Sequence, residues 1–311
     1  GTVNDERLRK FFAEAFSSQN DCPIGYEHVT TNVDAVLGSC GFRVEQQVVP
    51  FRTSRVALVA ERSLRTQNVR RLALDAGQFD TVDGDAISDA TRICRPDAAW
   101  VPCEATGRGP GTSGPMRQVV ESAFRIVYED GALGLATYLS NQFHLTGHAR
   151  APISNDDDFS WDAARDKGEN IVFVGGGSEA AQRALNETAA PLGLRRDGVS
   201  VGDCYFSGDL GVASLLPLRD DRLALLLAAT TSDEALDTTV ELLATPTIPP
   251  MARQPFSNAL PDVVVLDARQ ARRFGPGGFR LAGFWDHDWS FAHQASYAEE
   301  CRRVVEECAA A

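Results

Sequence analysis

The spacing of apolar positions changes its period along this chain. Over residues 5–17, Leu8, Phe11, Phe12, Ala15 and Phe16 recur every three or four positions, which predicts one face of a helix capped by Asn4 or Asp5. A second short helix is expected near residues 31–37. From residue 42 to residue 101 the texture is different. Short β-like runs at 42–44, 47–49, 56–59, 69–74 and 79–82 are separated by turn residues, Asp83-Gly84 among them. This predicts a small β-rich module.

Residues 107–115 read Gly-Arg-Gly-Pro-Gly-Thr-Ser-Gly-Pro, a composition unsuited to a sheet interior or a helix. The organisation expected is therefore a helix plus β-rich module over 1–106, a linker over 107–116 and a larger domain over 117–311. In the larger domain apolar runs alternate with helical patterns. Strands are expected at 124–128, 171–174, 199–206, 211–218, 222–229 and 263–267, with an edge strand at 279–284. Helices are expected at 132–143, 179–190, 233–243 and 297–307. That order predicts an α/β domain, an open and mostly parallel flavodoxin- or Rossmann-like sheet with an antiparallel insertion.

Composition narrows the function classes. Hydrophobic residues make up 43% of the 311, enough for a core and against disorder. The formal charge of −13 argues against nucleic acid as the main partner. The apolar runs at 223–229 and 263–266 fall far short of the roughly 20 residues of a membrane helix, so no membrane insertion is expected. The chain begins Gly1-Thr2-Val3 without an initiator Met, which implies a processed product or a fragment.

Seven cysteines are present and none forms Cys-x-x-Cys. Cys22 with Cys40, and Cys94 with Cys103, flank short loop-like segments and are expected as local disulfides. Cys301 and Cys308 lie two helical turns apart, about 10.5 Å, whereas a bridge spans at most about 7 Å. Cys301 is the better partner for Cys204. Disulfides and the triplet Asn186-Glu187-Thr188, a glycosylation pattern, point to an extracellular or secretory location.

Several segments are candidates for chemistry. In residues 170–180 a strand runs into Gly175-Gly176-Gly177-Ser178 and then a helix, a place where N–H groups and the helix dipole favour an anion. The spacing Gly175-x-Gly177-x-x-Ala180 meets the loose dinucleotide fingerprint, but about twenty residues on stands Arg195-Arg196-Asp197, in a turn. A tight turn needing glycine is the alternative. Asp286-His287-Asp288, between Trp285 and Trp289, carries metal-ligand types, against a reading as aromatic packing. His144 and His148 at a helix end, and Asp156-Asp157-Asp158 in a loop, are weaker metal candidates. Ser113 in the linker lacks the context of a protease nucleophile. No segment reads as a nucleophile elbow, and no catalytic centre or bound cofactor is expected.

Five stretches, in order, carry a resemblance. They are Thr66-x-Asn68-Val69-Arg70-Arg71-x-x-Leu74-Asp75; residues 114–128 from Gly114-Pro115 to Ile126-Val127-Tyr128; residues 170–176; Phe206-Ser207-Gly208-Asp209-Leu210-Gly211 with Pro217 and Arg222; and Val263–Asp267 with Gly283-Phe284-Trp285-x-x-x-Trp289. Together they resemble the C-terminal accessory region of secreted prolyl-oligopeptidase-like α/β-hydrolases. The resemblance implies that the catalytic Ser, Asp and His belong to an upstream hydrolase domain, and that none of them lies in this chain. It also implies a Gly-Thr turn after Tyr128, where this chain has Glu129-Asp130. Three functions are then in play. The first is a non-catalytic extracellular module acting in assembly, substrate presentation or binding of a protein partner. The second is a processed chain of a secreted serine peptidase or esterase whose catalytic half is a companion chain. The third is a nucleotide- or phosphate-binding enzyme using Gly175–Ser178.

Overall fold

The computed structural model describes residues 22–33, 40–87, 89–147, 149–219, 221–243 and 261–298. The helices expected at 5–17 and over most of 31–37 lie outside these, as do His148, Cys301 and residues 299–307. The chain divides into two compact units, Gly1–Pro110 and Gly111–Ala311.

The first unit holds two sheets. One orders β1 (Glu27–Thr30), β3 (Ser54–Ala60), β4 (Ser63–Gln67), β6 (Thr81–Val82) and β7 (Asp85–Ala86). The other orders β2 (Phe42–Gln47), β5 (Val69–Leu74), β8 (Arg92–Cys94) and β9 (Val101–Pro102). Among the described residues of this unit, only β4 and β6 pair in parallel. Buried residues including Val56, Leu58, Val69, Leu72 and Ile93 form the core. A charged cluster is buried beside it. Glu45 accepts from Arg71 at 2.9 Å and from Arg92 at 2.7 Å. Burial alone would raise the Glu45 pKa, but the two guanidiniums hold it below the ordinary range. Arg71 also donates to the Thr106 and Arg108 carbonyls, and Gln46 to the same two, so the start of the glycine-rich segment is tied to β2 and β5. Disulfides join Cys22 to Cys40 and Cys94 to Cys103. Cys204, in the second unit, is also disulfide-bonded.

The second unit is built on an eight-stranded sheet. Its order is β11 (Ile153–Asn155), β10 (Phe124–Tyr128), β12 (Asn170–Val174), β17 (Leu223–Ala229), β16 (Leu210–Pro217), β18 (Val263–Asp267), β19 (Phe279–Gly283), β20 (Tyr297–Ala298). Among the described residues its α-helices are α1 (Leu133–Gly147), α2 (Trp161–Asp166), α3 (Glu179–Glu187), α4 (Asp233–Leu243) and α5 (Ala268–Phe274). A separate antiparallel sheet holds β13 (Leu192–Arg195), β14 (Gly198–Val201) and β15 (Cys204–Ser207).

The expectation of a mostly parallel flavodoxin- or Rossmann-like sheet is overturned. The β11, β10, β12 and β17 neighbours run parallel. Every neighbour from β17 through β16, β18 and β19 to β20 runs antiparallel. The sheets are mixed or antiparallel and the protein is β-rich. Connection length explains the change of direction. Parallel neighbours need a crossover of a dozen or more residues, whereas residues 218–222 turn β16 straight back as β17. The strand expected at 199–206 is folded at Gly202-Asp203 into β14 and β15. Phe279–Gly283 is not an edge, since β20 covers it, and residues 297–298 are strand where a helix start was expected.

Buried polar groups fix the junctions. Asn170 donates to the Val119 carbonyl and the Ser122 hydroxyl, both at 2.9 Å, and accepts from the Leu223 N–H at 2.8 Å. One side chain thus sets the starts of β12 and β17. Trp285 is fully buried and donates from Nε1 to the Leu215 carbonyl at 2.7 Å.

Candidate functional site: a switch-point crevice filled from within

From β10 the chain crosses to β11 on one side, then returns past β10 to β12 on the other. The ends of β10 and β12 therefore form a topological switch point, where open α/β sheets bind ligands. The Gly175–Ser178 turn stands there. It follows β12, opens α3, and presents N–H donors as a phosphate-binding turn does.

Those donors are already taken by side chains of this chain. Glu129, the residue after β10, accepts from the Gly177 N–H at 2.7 Å, and the Ser178 N–H also faces it. Asp156 accepts from Glu179 N–H at 2.7 Å and from Ala180 N–H at 3.1 Å. The Ser178 hydroxyl caps the helix by accepting from Ala181 N–H at 3.1 Å. A helix N-terminus favours negative charge, and here the chain supplies two carboxylates of its own.

The glycines are explained by this filling. Gly175 has φ +104°, and a Cβ there would lie 2.0 Å from Glu129 Cδ. A Cβ on Gly177 would lie 3.0 Å from Glu129 Oε2. Gly176 is needed for a different reason: a Cβ there would meet Leu194 at 2.4 Å and Ala228 at 2.9 Å. Burial pushes the Glu129 pKa up, as do the nearby carboxylates of Asp156 and Asp233, against the lowering by its backbone donors.

Beside the filled turn lies a cavity of about 340 Å³. Arg195, Arg196, Thr231, Ser232 and Asp233 line it together with Glu129. Its hydroxyls are engaged, because Asp209 accepts from Thr231 Oγ1 at 2.7 Å and from Ser232 Oγ at 2.6 Å. Those bonds outweigh burial and hold the Asp209 pKa below its ordinary range. Arg195-Arg196-Asp197 spans the turn between β13 and β14, where the Asp197 carboxylate bonds the Tyr205 hydroxyl.

The other candidates are dispersed. Asp286 accepts at Oδ1 from the His287 N–H at 2.6 Å and pairs with His287 Nδ1 at 2.8 Å. Burial pushes the Asp286 pKa up, but the bonds to His287 bring it below the ordinary range. Asp288 accepts from Ser290 N–H and Oγ at 3.0 and 2.6 Å. Both carboxylates hold a tight turn. Among the described residues no group of three or more His, Cys, Asp or Glu is placed to hold a metal ion. His144 is exposed in the last turn of α1, and Asp157 and Asp158 lie exposed on a 3-10 turn. Asn186 is exposed on α3. Among the described residues no helix is long and apolar enough to cross a membrane.

Gly198-Val199-Ser200-Val201-Gly202 satisfies Gly-x-Ser-x-Gly. An elbow puts its serine on a strained strand-to-helix turn. Ser200 instead lies within β14, flanked on both sides by antiparallel strands, and its Oγ is 3.5 Å from the Gly193 carbonyl. The string was hidden in a run of β-formers, and its context removes the chemistry. Glu129 was visible as a departure after Tyr128, but its destination was not. No protein-family model and no curated protein matches this chain.

Proposed function

We propose that this chain is a non-catalytic extracellular module that acts by binding a protein partner, within a hydrolase-like assembly. The observation that carries this reading is the filling of the switch-point crevice by Glu129. The crevice where such a sheet would receive an external ligand is held by a carboxylate 2.7 Å from the Gly177 nitrogen. A phosphate or nucleotide entering there would have to displace two like charges. The resemblance to the accessory region of prolyl-oligopeptidase-like hydrolases supports the same reading, since it puts the catalytic residues on another domain. Two disulfides fit an oxidising compartment.

The test is intact-mass and N-terminal analysis of the native material, non-reduced and reduced, with ester and peptide hydrolysis assayed on the isolated chain. The expected result is an inactive chain accompanied by a different polypeptide. Hydrolysis by the isolated chain, or native material containing this chain alone, overturns the proposal. A companion carrying a serine nucleophile elbow, with activity lost on separation, replaces it with the processed-enzyme reading.

A further inference from the structure

A second cleft opens at the opposite end of the same strands, where residues 218–222 connect β16 to β17. Its volume is about 220 Å³. Arg165, Arg183, Arg219 and Arg222 line it; Arg165 pairs with Asp162 at 3.0 Å and Asp166 at 3.7 Å, and Arg183 and Arg219 share the one carboxylate of Glu187, at 2.9 and 3.7 Å, which leaves one cation in excess. This local excess of cations sits in a chain of formal charge −13. A positive cleft on an acidic molecule is an electrostatic feature that a negatively charged partner would find.

The cleft is organised. The Arg183 guanidinium lies over the Trp161 ring, 5.2 Å from its centroid, and its Nε holds Glu187 at 2.9 Å. Stacking fixes the plane of the guanidinium fork and favours planar, two-pronged recognition. The Arg183 and Arg219 side chains remain 53% and 83% exposed. Arg222 is buried, and its Nη1 donates to the Glu169 carbonyl at 3.3 Å. Trp289 also lines the cleft, at φ +71°, a backbone conformation that a bulky side chain rarely adopts. The turn that imposes it is held by the Trp289 N–H donating to the Asp286 carbonyl at 3.0 Å and by Asp288 on Ser290. Backbone held this way recurs at ligand clamps.

We propose that this cleft docks an acidic peptide segment of the partner chain. The proposal rests on the partner-binding reading above and names that partner's chemistry. Three features select a carboxylate-bearing peptide. The arginine forks match the planar carboxylate. The Trp161 face is covered by Arg183, which leaves it closed to a stacked sugar ring. The volume lies below the roughly 300–1,000 Å³ of typical small-molecule pockets, and suits a few side chains rather than a nucleotide.

The test is fluorescence anisotropy of a labelled hexaglutamate peptide with the full chain at low ionic strength. Saturable binding is expected, weakening as salt is added. Arg183→Glu and Arg219→Glu are each expected to weaken it about tenfold or more. Arg65→Glu, on β4 in the other unit, should leave it unchanged. Arg219 is the more exposed position, so Arg219→Glu reports even where Arg183→Glu disturbs folding. Absence of saturable binding, equal binding by the Arg219→Glu chain, or binding of an oligouronate in preference to the peptide overturns the proposal. A companion polypeptide retained equally by the Arg219→Glu chain overturns the cleft but leaves the partner reading standing. Native material without any companion overturns the reading on which the cleft proposal rests.

Discussion

Glu129 and Gly177 meet across the crevice between β10 and β12, with carboxylate oxygen and amide nitrogen 2.7 Å apart. The contact joins a charged residue to a backbone turn shaped like an anion cradle. It also has a cost, because Glu129 is half-buried and faces Asp156 and Asp233. Its raised pKa means that the folded chain binds its proton more tightly than the unfolded chain does. Stability from this group is therefore full below the unfolded carboxyl range. It falls as pH rises through that range to the folded pKa, and stays reduced above it. Glu129→Gln keeps an acceptor for Gly177 and removes the charge. The expected outcome is that Glu129→Gln gains stability relative to the parent as pH rises from about 4 to 7. Urea denaturation of both proteins across that range checks it; a difference that does not move with pH refutes it.

The turn itself can be tested by filling it. At Gly175, φ is +104° and an added Cβ would lie 2.0 Å from Glu129 Cδ. Gly175→Ala is expected to cost about 2–4 kcal/mol, combining backbone strain with displacement of the carboxylate. If the Glu129 contact is the cause of the steric part, Gly175→Ala in a Glu129→Ala background should cost less, by about 0.5–3 kcal/mol. A double-mutant cycle by denaturant melts measures that coupling, and strict additivity would separate the two residues.

Much of the second unit was legible as elements. Residues 233–243 and 263–267 form the helix and strand that their patterns predict. Strand direction was not legible. Leu223–Ala229 is apolar throughout because both sheet faces are covered, and such a run reads alike beside a parallel or an antiparallel neighbour. The short connection at residues 218–222 carries the direction, but by itself it fits an antiparallel insertion into a parallel sheet equally well. The glycine turn was legible as strand-to-helix, while its occupant stands far upstream in the chain. A lone Glu after a buried strand looks like any turn residue until the register of β10 and β12 brings it over Gly177.

The buried Glu45 in the first unit makes a contrasting prediction. Its carboxylate is held by Arg71, whose side chain is 3% exposed, and by Arg92. Glu45→Ala would leave a buried guanidinium without its counter-charge, with an expected loss of about 3–5 kcal/mol. The same substitution loosens the Thr106 and Arg108 carbonyls that Arg71 holds. Proteolysis in the glycine-rich segment should therefore accelerate in Glu45→Ala. Here the pKa is depressed, so the stabilisation is present above the unfolded carboxyl range and is lost as pH falls through the folded value. Limited proteolysis followed by mass spectrometry reads the first effect, and acid titration of the melting curve reads the second.

The disulfide between Cys94 and Cys103 closes a loop with a sequence separation of 9. It anchors β8, which pairs with β5, and the β8–β9 hairpin, in which Cys94 lies opposite Val101. In the chain-entropy account a loop of this length is stabilised by about 2–3 kcal/mol. Replacing both cysteines by serine should lower the stability of the first unit by that amount. The effect should stay local, since β8 contributes Ile93 to the first unit's core and not to that of the second. Hydrogen exchange distinguishes the outcomes: amides of β5 and β8 should lose protection while those of β12 and β17 keep theirs. Equal loss in both sheets would mean that the two units unfold as one, and the assignment of this disulfide to the first unit alone would fail.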